Sequence, residues 1–191
     1  MSKTRKRIID TASELLEAQG YYATGLNQII EESGAPKGSL YYYFPAGKEG
    51  LTAEVIELTG QGVHERIQQT LASVDDPSEA VRTFVLNVAK HVRASKYRAG
   101  GPITTVALET AHTSQRLNAV CKETYNRWES AFRDRLVSSG FPKARAERLA
   151  TLIIACLEGA IVLSRTKRSA RPLERVAEEL ALLINITSSH R

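Results

Sequence analysis

The sequence predicts an all-α protein of about nine helices, and three observations carry that expectation. Apolar residues return every third or fourth position in segment after segment, the period of a helix with one buried face. No stretch combines apolar–polar alternation with the turn chemistry of paired strands. Breakers divide the chain at helix-length intervals: Gly34-Ala35-Pro36, Asp75-Asp76-Pro77-Ser78, Gly100-Gly101-Pro102 and Gly140-Phe141-Pro142.

The first helix is expected over Thr4–Gln19, with Ile8, Ile9, Ala12, Leu15 and Leu16 in step and Gly20 closing it. Tyr21 and Tyr22 form a connector. Thr24 is the candidate cap of a second helix, whose buried face is Leu26, Ile29 and Ile30 and whose stop is Gly34. Pro36 and Pro45 then enclose a third, short helix. Helix, Gly-containing turn and short helix form the outline of a helix-turn-helix. We therefore expect a helix-turn-helix domain over residues 1–50 and a larger helical domain over residues 51–191.

A fourth helix runs from Lys48 to near Leu71. Ser78 is the expected cap for Glu79–Ser95, whose stripe is Val81, Phe84, Val85, Val88 and Val92. Ile103–Ala111 is short. Ser114–Val137 is long, with Leu117, Cys121, Tyr125, Trp128, Phe132 and Leu136 in register. Lys143–Arg165 and Pro172–Ile186 complete the set. The stretch Leu152–Leu163 is apolar nearly all round yet too short to cross a bilayer, so it calls for burial on more than one side. A homodimer interface is expected through Leu157, Gly159, Ala160 and Ile161, joined by Leu173, Val176, Leu180 and Leu183 of the last helix. A single thick core within one chain is the alternative.

The bulk numbers describe an ordinary globule, 42% hydrophobic with 6% aromatics. No apolar run approaches the roughly 18 residues of a membrane span, and the basic N-terminus enters no signal-peptide core. The cytoplasm is the expected compartment. Cys121 and Cys156 form no CxxC and have no histidine at ligand spacing, so free thiols are expected, with no metal site and no cofactor. Enzyme signatures are missing: Gly60-Gln61-Gly62 lacks a third glycine and a preceding strand, and His64-Glu65 lacks a second histidine. The formal charge of +5 permits an acidic partner. Residues 1–50 nevertheless hold six Lys/Arg (3, 5, 6, 7, 37, 48) against six Asp/Glu (10, 14, 17, 31, 32, 49), so the excess lies elsewhere. The cluster Arg165, Lys167, Arg168, Arg171 and Arg175 reads as a solvated loop carrying helix-terminal charges.

Leu40-Tyr41-Tyr42-Tyr43-Phe44 places five bulky residues in a row on the short helix. At about 100° per residue Leu40 and Phe44 share one side, Tyr42 points away with Gly38 one turn below, and Tyr41 and Tyr43 flank. A phenol donates to a phosphate oxygen, and its ring packs on a thymine methyl. Gly38 and Ser39 lie close to free backbone N–H groups at the helix start, and Lys37 and Lys48 bracket the helix. The combination suits a helix in the major groove of double-stranded DNA.

The stretch TGLNQIIEESGAPKGSLYYYFPAGKEGL, Thr24 to Leu51, resembles the N-terminal helix-turn-helix of TetR-family transcriptional regulators. Lys37, Gly38, Ser39, Leu40, Tyr41, Phe44 and Lys48 carry the likeness. The link Phe44-Pro45-Ala46-Gly47-Lys48, one residue longer than the usual spacing, and GGPITTVALE at Gly100–Glu109 are similar to the LmrA/YxaF-like branch. Gly50 stands where a helix former is commoner. The resemblance implies phosphate contacts from Ser39, Tyr41 and Lys48, and base or groove contacts from Lys37, Gly38, Tyr42 and Tyr43. Asn27 and Gln28 would reach a base edge or the backbone, and an arm of Lys3-Thr4-Arg5-Lys6-Arg7 would add further contacts. It further implies a homodimer on a pseudo-palindromic operator, acting as a repressor and released by a small hydrophobic or aromatic effector. Candidate effector-pocket residues are Phe84, Val88, His91, Ile103, Val106, Cys121, Tyr125, Trp128, Phe132 and Cys156, with plain core as the competing reading. A ligand-independent DNA-binding or helical interaction protein is the alternative.

Overall fold

Each of the predicted breakers falls at a junction between two helices. The structure, a computed structural model, describes residues 2–98 and 100–188. Among them are nine helices and no strand: α1 (Lys3–Ala23), α2 (Leu26–Ser33), α3 (Lys37–Tyr43), α4 (Gly47–Ala72), α5 (Pro77–Ala94), α6 (Pro102–Thr110), α7 (Gln115–Ser138), α8 (Lys143–Lys167) and α9 (Arg171–Ser188). The predicted elements are all present, and the differences sit at their ends.

Three ends differ for local reasons. Gly20 interrupts α1 with φ 85° and ψ 179°, after which one more turn holds Tyr21 and Tyr22. A Cβ at Gly20 would stand 2.2 Å from Glu109 Oε1, so the residue is both turned and closely approached. Thr24 does not cap α2; it is fully buried and its hydroxyl donates to the Gly20 carbonyl at 2.7 Å, while Gly25 takes the cap position. At α5 the cap is Asp76, whose carboxylate accepts from the Glu79 amide at 2.8 Å. Ser78 donates its hydroxyl to that same carboxylate, and this bond, followed by the Glu79 amide, holds the Asp76 carboxyl below its usual range.

The chain divides into two compact units, Met1–Gln61 with Gly101–Thr124 and Gly62–Gly100 with Tyr125–Arg191, so α4 and α7 contribute residues to both. In the first unit α2, α3 and α6 all pack on α1. Its buried side chains include Ile8, Ala12, Leu16, Ile29, Leu40 and Phe44; each such large side chain contributes roughly 1.5–3 kcal/mol by leaving water. Leu26 and Ile30, expected to be buried, are only half-buried. The helix α6 is fastened to α1 at both ends: Glu17 Oε1 accepts from the Gly101 amide at 2.7 Å, and Glu109 Oε2 from the Tyr22 amide at 3.0 Å. The unit is therefore larger than the three helices of the helix-turn-helix outline.

In the second unit α5, α8 and α9 pack against one another. Val81, Val85, Phe132, Leu136, Ile153, Leu173 and Ala177 are buried, and Phe84 meets Phe132 edge to face at 5.6 Å. Arg135 ties the segment before α5 to α7 by donating to the carbonyls of Val74 and Asp75. The helix α8 corrects one expectation: it carries an 18-residue window of mean hydropathy 1.7, long and apolar enough to cross a membrane by length and composition. Of that window 44% is buried inside the chain, and the core helix of a globular protein passes the same test.

Candidate functional site

The breakers Pro36 and Pro45 limit α3 to seven residues, too few to bury more than one side. Leu40 (0% exposed) and Phe44 (3%) form that side. Tyr42 is 79% exposed and Tyr41 49%. Lys37 and Gly38 are exposed, and nothing lies within 4 Å of where a Gly38 Cβ would be. Ser39 is half-buried. Tyr43, also half-buried, accepts a hydrogen bond from the Ser2 hydroxyl at 2.9 Å and stacks edge-on with Tyr42 at 5.1 Å. The face left open thus carries Lys37, Gly38, Tyr41 and Tyr42, with the Tyr43 hydroxyl turned toward the chain start. Asn27 on α2 is exposed. Gln28 is partly engaged: its carbonyl accepts from Gln19 at 2.7 Å and its amide donates to Glu32 at 2.9 Å. Each end of its amide keeps one further hydrogen-bonding position.

The basic start of the chain is not a loose arm. It forms the opening turns of α1, capped by Ser2, whose hydroxyl accepts from the Arg5 amide. Arg5 pairs with Glu54 at 2.6 Å and lies 5.2 Å over the Phe44 ring. Lys6 pairs with Asp10, and Arg7 donates to the Ser33 carbonyl at the end of α2. Periodicity does not reveal the bonds of Arg5 and Arg7, which tie both side chains to other helices; Lys6 pairs within its own helix, at an exposed i, i+4 position. Lys48 is half-buried with its ammonium 4.3 Å from the Tyr21 ring centroid. Desolvation lowers its pKa, with the Glu109 carboxylate acting in the opposite sense. Burial, and then Glu49 and Tyr22, raise that of Tyr21. Gly50, unexpected inside a helix, has its reason here: a Cβ would come within 2.7 Å of the Ala46 Cβ, so the lengthened link after α3 needs the bare backbone.

Residues 8–55 match the family description "Bacterial regulatory proteins, tetR family", and residues 77–179 match "Transcriptional regulator LmrA/YxaF-like, C-terminal domain". The uncharacterized HTH-type transcriptional regulator YxaF of Bacillus subtilis is 42% identical over 181 residues, 95% of each chain. The chain belongs to the TetR family. HTH-type transcriptional regulator LmrA of the same organism is 37% identical over 174 residues, 91% of this chain and 93% of that one. A TetR transcriptional regulator from Chloroflexus aurantiacus, solved as a crystal structure, superposes with a TM-score of 0.81 at 30% identity, over 96% of this chain and 94% of its own. Regulatory protein TetR from Rhodobacter sphaeroides shares the fold at a TM-score of 0.85 and 19% identity, over 94% and 98%. This protein is thus a DNA-binding transcriptional regulator with the TetR-family helix-turn-helix.

The remaining predicted residues of this TetR-family regulator fall in different places. Ile103, Val106 and Cys121 belong to the first unit, where each is buried; burial pushes the Cys121 thiol up to about 11. Phe84, Trp128 and Phe132 are buried in the second unit, Tyr125 is half-buried and stands edge-on to Trp128 at 5.5 Å, and Val88 is half-buried. His91 is exposed on α5 and does not line an interior. His64, not singled out for this role, is half-buried, and its Nδ1 is buried with no hydrogen-bond partner among the described residues. The expected interface needs correction as well. Leu157, Ala160, Ile161, Leu173 and Leu180 are taken into the core of their own chain. The side of α8 left open instead carries Leu152, Ala155, Gly159, Val162 and Leu163, with Cys156 half-exposed on the same stripe. On α9 Val176 and Leu183 are half-buried and Leu182 is exposed. Because α8 is apolar on both sides, periodicity names two candidate faces and packing alone selects one.

Proposed function

We propose that this regulator is a homodimeric repressor that reads a pseudo-palindromic operator through α3 and leaves it when a small hydrophobic or aromatic effector binds. The observation that carries the reading is the division of α3 into a side anchored by Leu40 and Phe44 and an open side on which Tyr42 is 79% exposed above an unobstructed Gly38. Lys37 and Tyr42 reach base edges; Tyr41, Ser39 and Lys48 hold phosphates and set the register. Residues 1–50 act as the reading head, and residues 51–191 supply dimerisation and effector binding.

The dimer forms through the aliphatic stripe of α8, Leu152, Gly159, Val162 and Leu163, together with Leu182 of α9. Leu152, Val162, Leu163 and Leu182 are each at least 40% exposed in the single chain, and a contiguous apolar face of this kind marks a protein contact. Two copies related by a twofold axis present two α3 helices, which a twofold-symmetric operator matches. The effector binds in the second unit against Tyr125 and Trp128. The orphaned His64 nitrogen in that unit supports a ligand with a polar group, since buried polar atoms are ordinarily paired. Release follows from binding the DNA-free state better, each 1.4 kcal/mol of difference weakening DNA about tenfold.

The test begins with a DNA site selected from a random pool by the full chain. Lys37→Ala and Tyr42→Ala are each expected to weaken that site by about ten- to hundredfold, the worth of a hydrogen bond to a charged or base partner at about 1.5–3 kcal/mol. Undiminished, sequence-selective binding by both variants overturns the reading.

A further inference from the structure

The positive charge of this protein is gathered in one place, and that place is not the helix-turn-helix. Residues 90–98 hold Lys90, Arg93, Lys96 and Arg98; residues 165–175 hold Arg165, Lys167, Arg168, Arg171 and Arg175. The only acid in either stretch is Glu174. These two stretches therefore carry a formal +8 in a chain of +5, which leaves the rest with seventeen Lys/Arg against twenty Asp/Glu, or −3.

The two stretches meet at one end of the second unit. Arg93 on the last turn of α5 pairs with Glu174 on the first turn of α9 at 2.5 Å. Gly100, just beyond α5, lies so close to the end of α8 that a Cβ there would stand 2.9 Å from Ile161 Cγ2 and 3.1 Å from Arg165 Nη1. The turn after α5 bears Lys96, at φ 55°, and Arg98; the turn between α8 and α9 bears Arg168, at φ 46°. Lys96, Arg98, Lys167, Arg168, Arg171 and Arg175 are exposed, and among the described residues none of the six has an ion pair or a side-chain hydrogen bond.

Helix electrostatics alone does not account for the cluster. Arg165 and Lys167, in the last turn of α8, suit the negative end of that helix. Arg171 opens α9, where the dipole repels a cation, and Arg168 stands one turn from it with no acid between. One stretch alone presents as a solvated loop; the packing of α5 on α9 doubles the cluster. Charges spread over two surface turns and a helix start fit an extended polyanion better than a small anion.

Resting on the DNA-binding reading above, we propose that this basic end of the second unit is a further DNA contact, holding the phosphate backbone of a duplex without regard to sequence. It supplies the salt-dependent attraction that residues 1–50, with six cations against six acids, lack in net charge. Phosphates neutralised by Lys and Arg release condensed counterions, which lowers log K by about 0.9 per decade of salt for each contact.

The experiment compares the full chain with the triple variant Lys167→Gln/Arg168→Gln/Arg171→Gln on a mixed-sequence duplex with no selected site, titrated over a range of salt. Loss of about 2 to 3 in the slope of log K against log salt, with unchanged melting temperature, is expected. A slope within error of the parent overturns the proposal. A parallel Lys37→Gln variant reads the α3 assignment separately, because it changes preference for the selected site over the mixed duplex, whereas the triple variant weakens both alike. Should the triple variant keep the DNA slope and lose binding to vesicles of anionic lipid, the surface belongs to a membrane and the DNA assignment fails.

Discussion

The helices α3 and α8 each carry more bulky surface than their own chain buries, and they leave different chemistry outside. On α3 the anchors Leu40 and Phe44 go in, and Tyr41 and Tyr42 stay out at 49% and 79% exposure. On α8 the residues left out are aliphatic, Leu152, Val162 and Leu163, beside a Gly159 with nothing within 4 Å of its missing Cβ. A phenol has an apolar ring and a hydroxyl that exchanges water for another polar partner. An aliphatic side chain gains only by leaving water altogether. The first surface therefore suits a wet, polyanionic partner and the second a dry one made of protein. Exposed bulk alone does not indicate the partner; the polar atom at its tip does.

The comparison can be broken most severely at α8. Val162→Glu/Leu163→Glu is expected to turn a dimer into a monomer by sedimentation, with helical content retained, because two carboxylates in a dry interface cost several kcal/mol each. A double variant that sediments as its parent removes the dry-interface assignment. Next in size is a pair of substitutions within α3. Leu40→Ala should lower stability by about 2–5 kcal/mol, whereas Gly38→Ala, which meets no atom of the chain, should leave stability equal or raise it by about 0.5–1 kcal/mol. Gly38→Ala should still weaken the selected DNA site, since the added methyl points to the proposed groove face. A loss of melting temperature in Gly38→Ala, or full DNA affinity, contradicts the division of α3 into two sides.

The smallest expected effect lies away from both surfaces and calibrates them. Asp76→Ala removes the α5 cap and should cost about 0.5–2 kcal/mol at neutral pH. Because Ser78 and the Glu79 amide hold the Asp76 carboxyl below its unfolded value, that contribution is fully present above the unfolded pKa of about 3.9 and is lost as pH falls through the folded value. The gap in melting temperature between parent and variant should therefore close on acidification. A gap that stays constant down to about pH 2 rules out the charged cap.

The helices, their order and the tyrosine face of α3 were legible because each is a local matter. Period, breaker and the 100° step place Tyr42 opposite Leu40 and Phe44 without reference to the rest of the molecule. Asp76 rather than Ser78 caps α5: both are cap-forming residues, two positions apart, and the Ser78 hydroxyl donates to the Asp76 carboxylate. Thr24 does not cap α2 because its buried hydroxyl donates to the Gly20 carbonyl, a partner outside the reach of a local cap rule.

The sequence by itself determined which residues are helical, which are apolar and where the formal charge lies, since these depend on neighbours within a few positions. The tertiary structure alone decided which side of α8 is core, that Arg5 and Arg7 serve the fold, and that two basic stretches some 70 residues apart in the chain share one end of a unit. Each of these depends on what packs opposite. A helix that is apolar all round carries no local mark of its buried face, and a cation carries none of the carboxylate or carbonyl that will meet it.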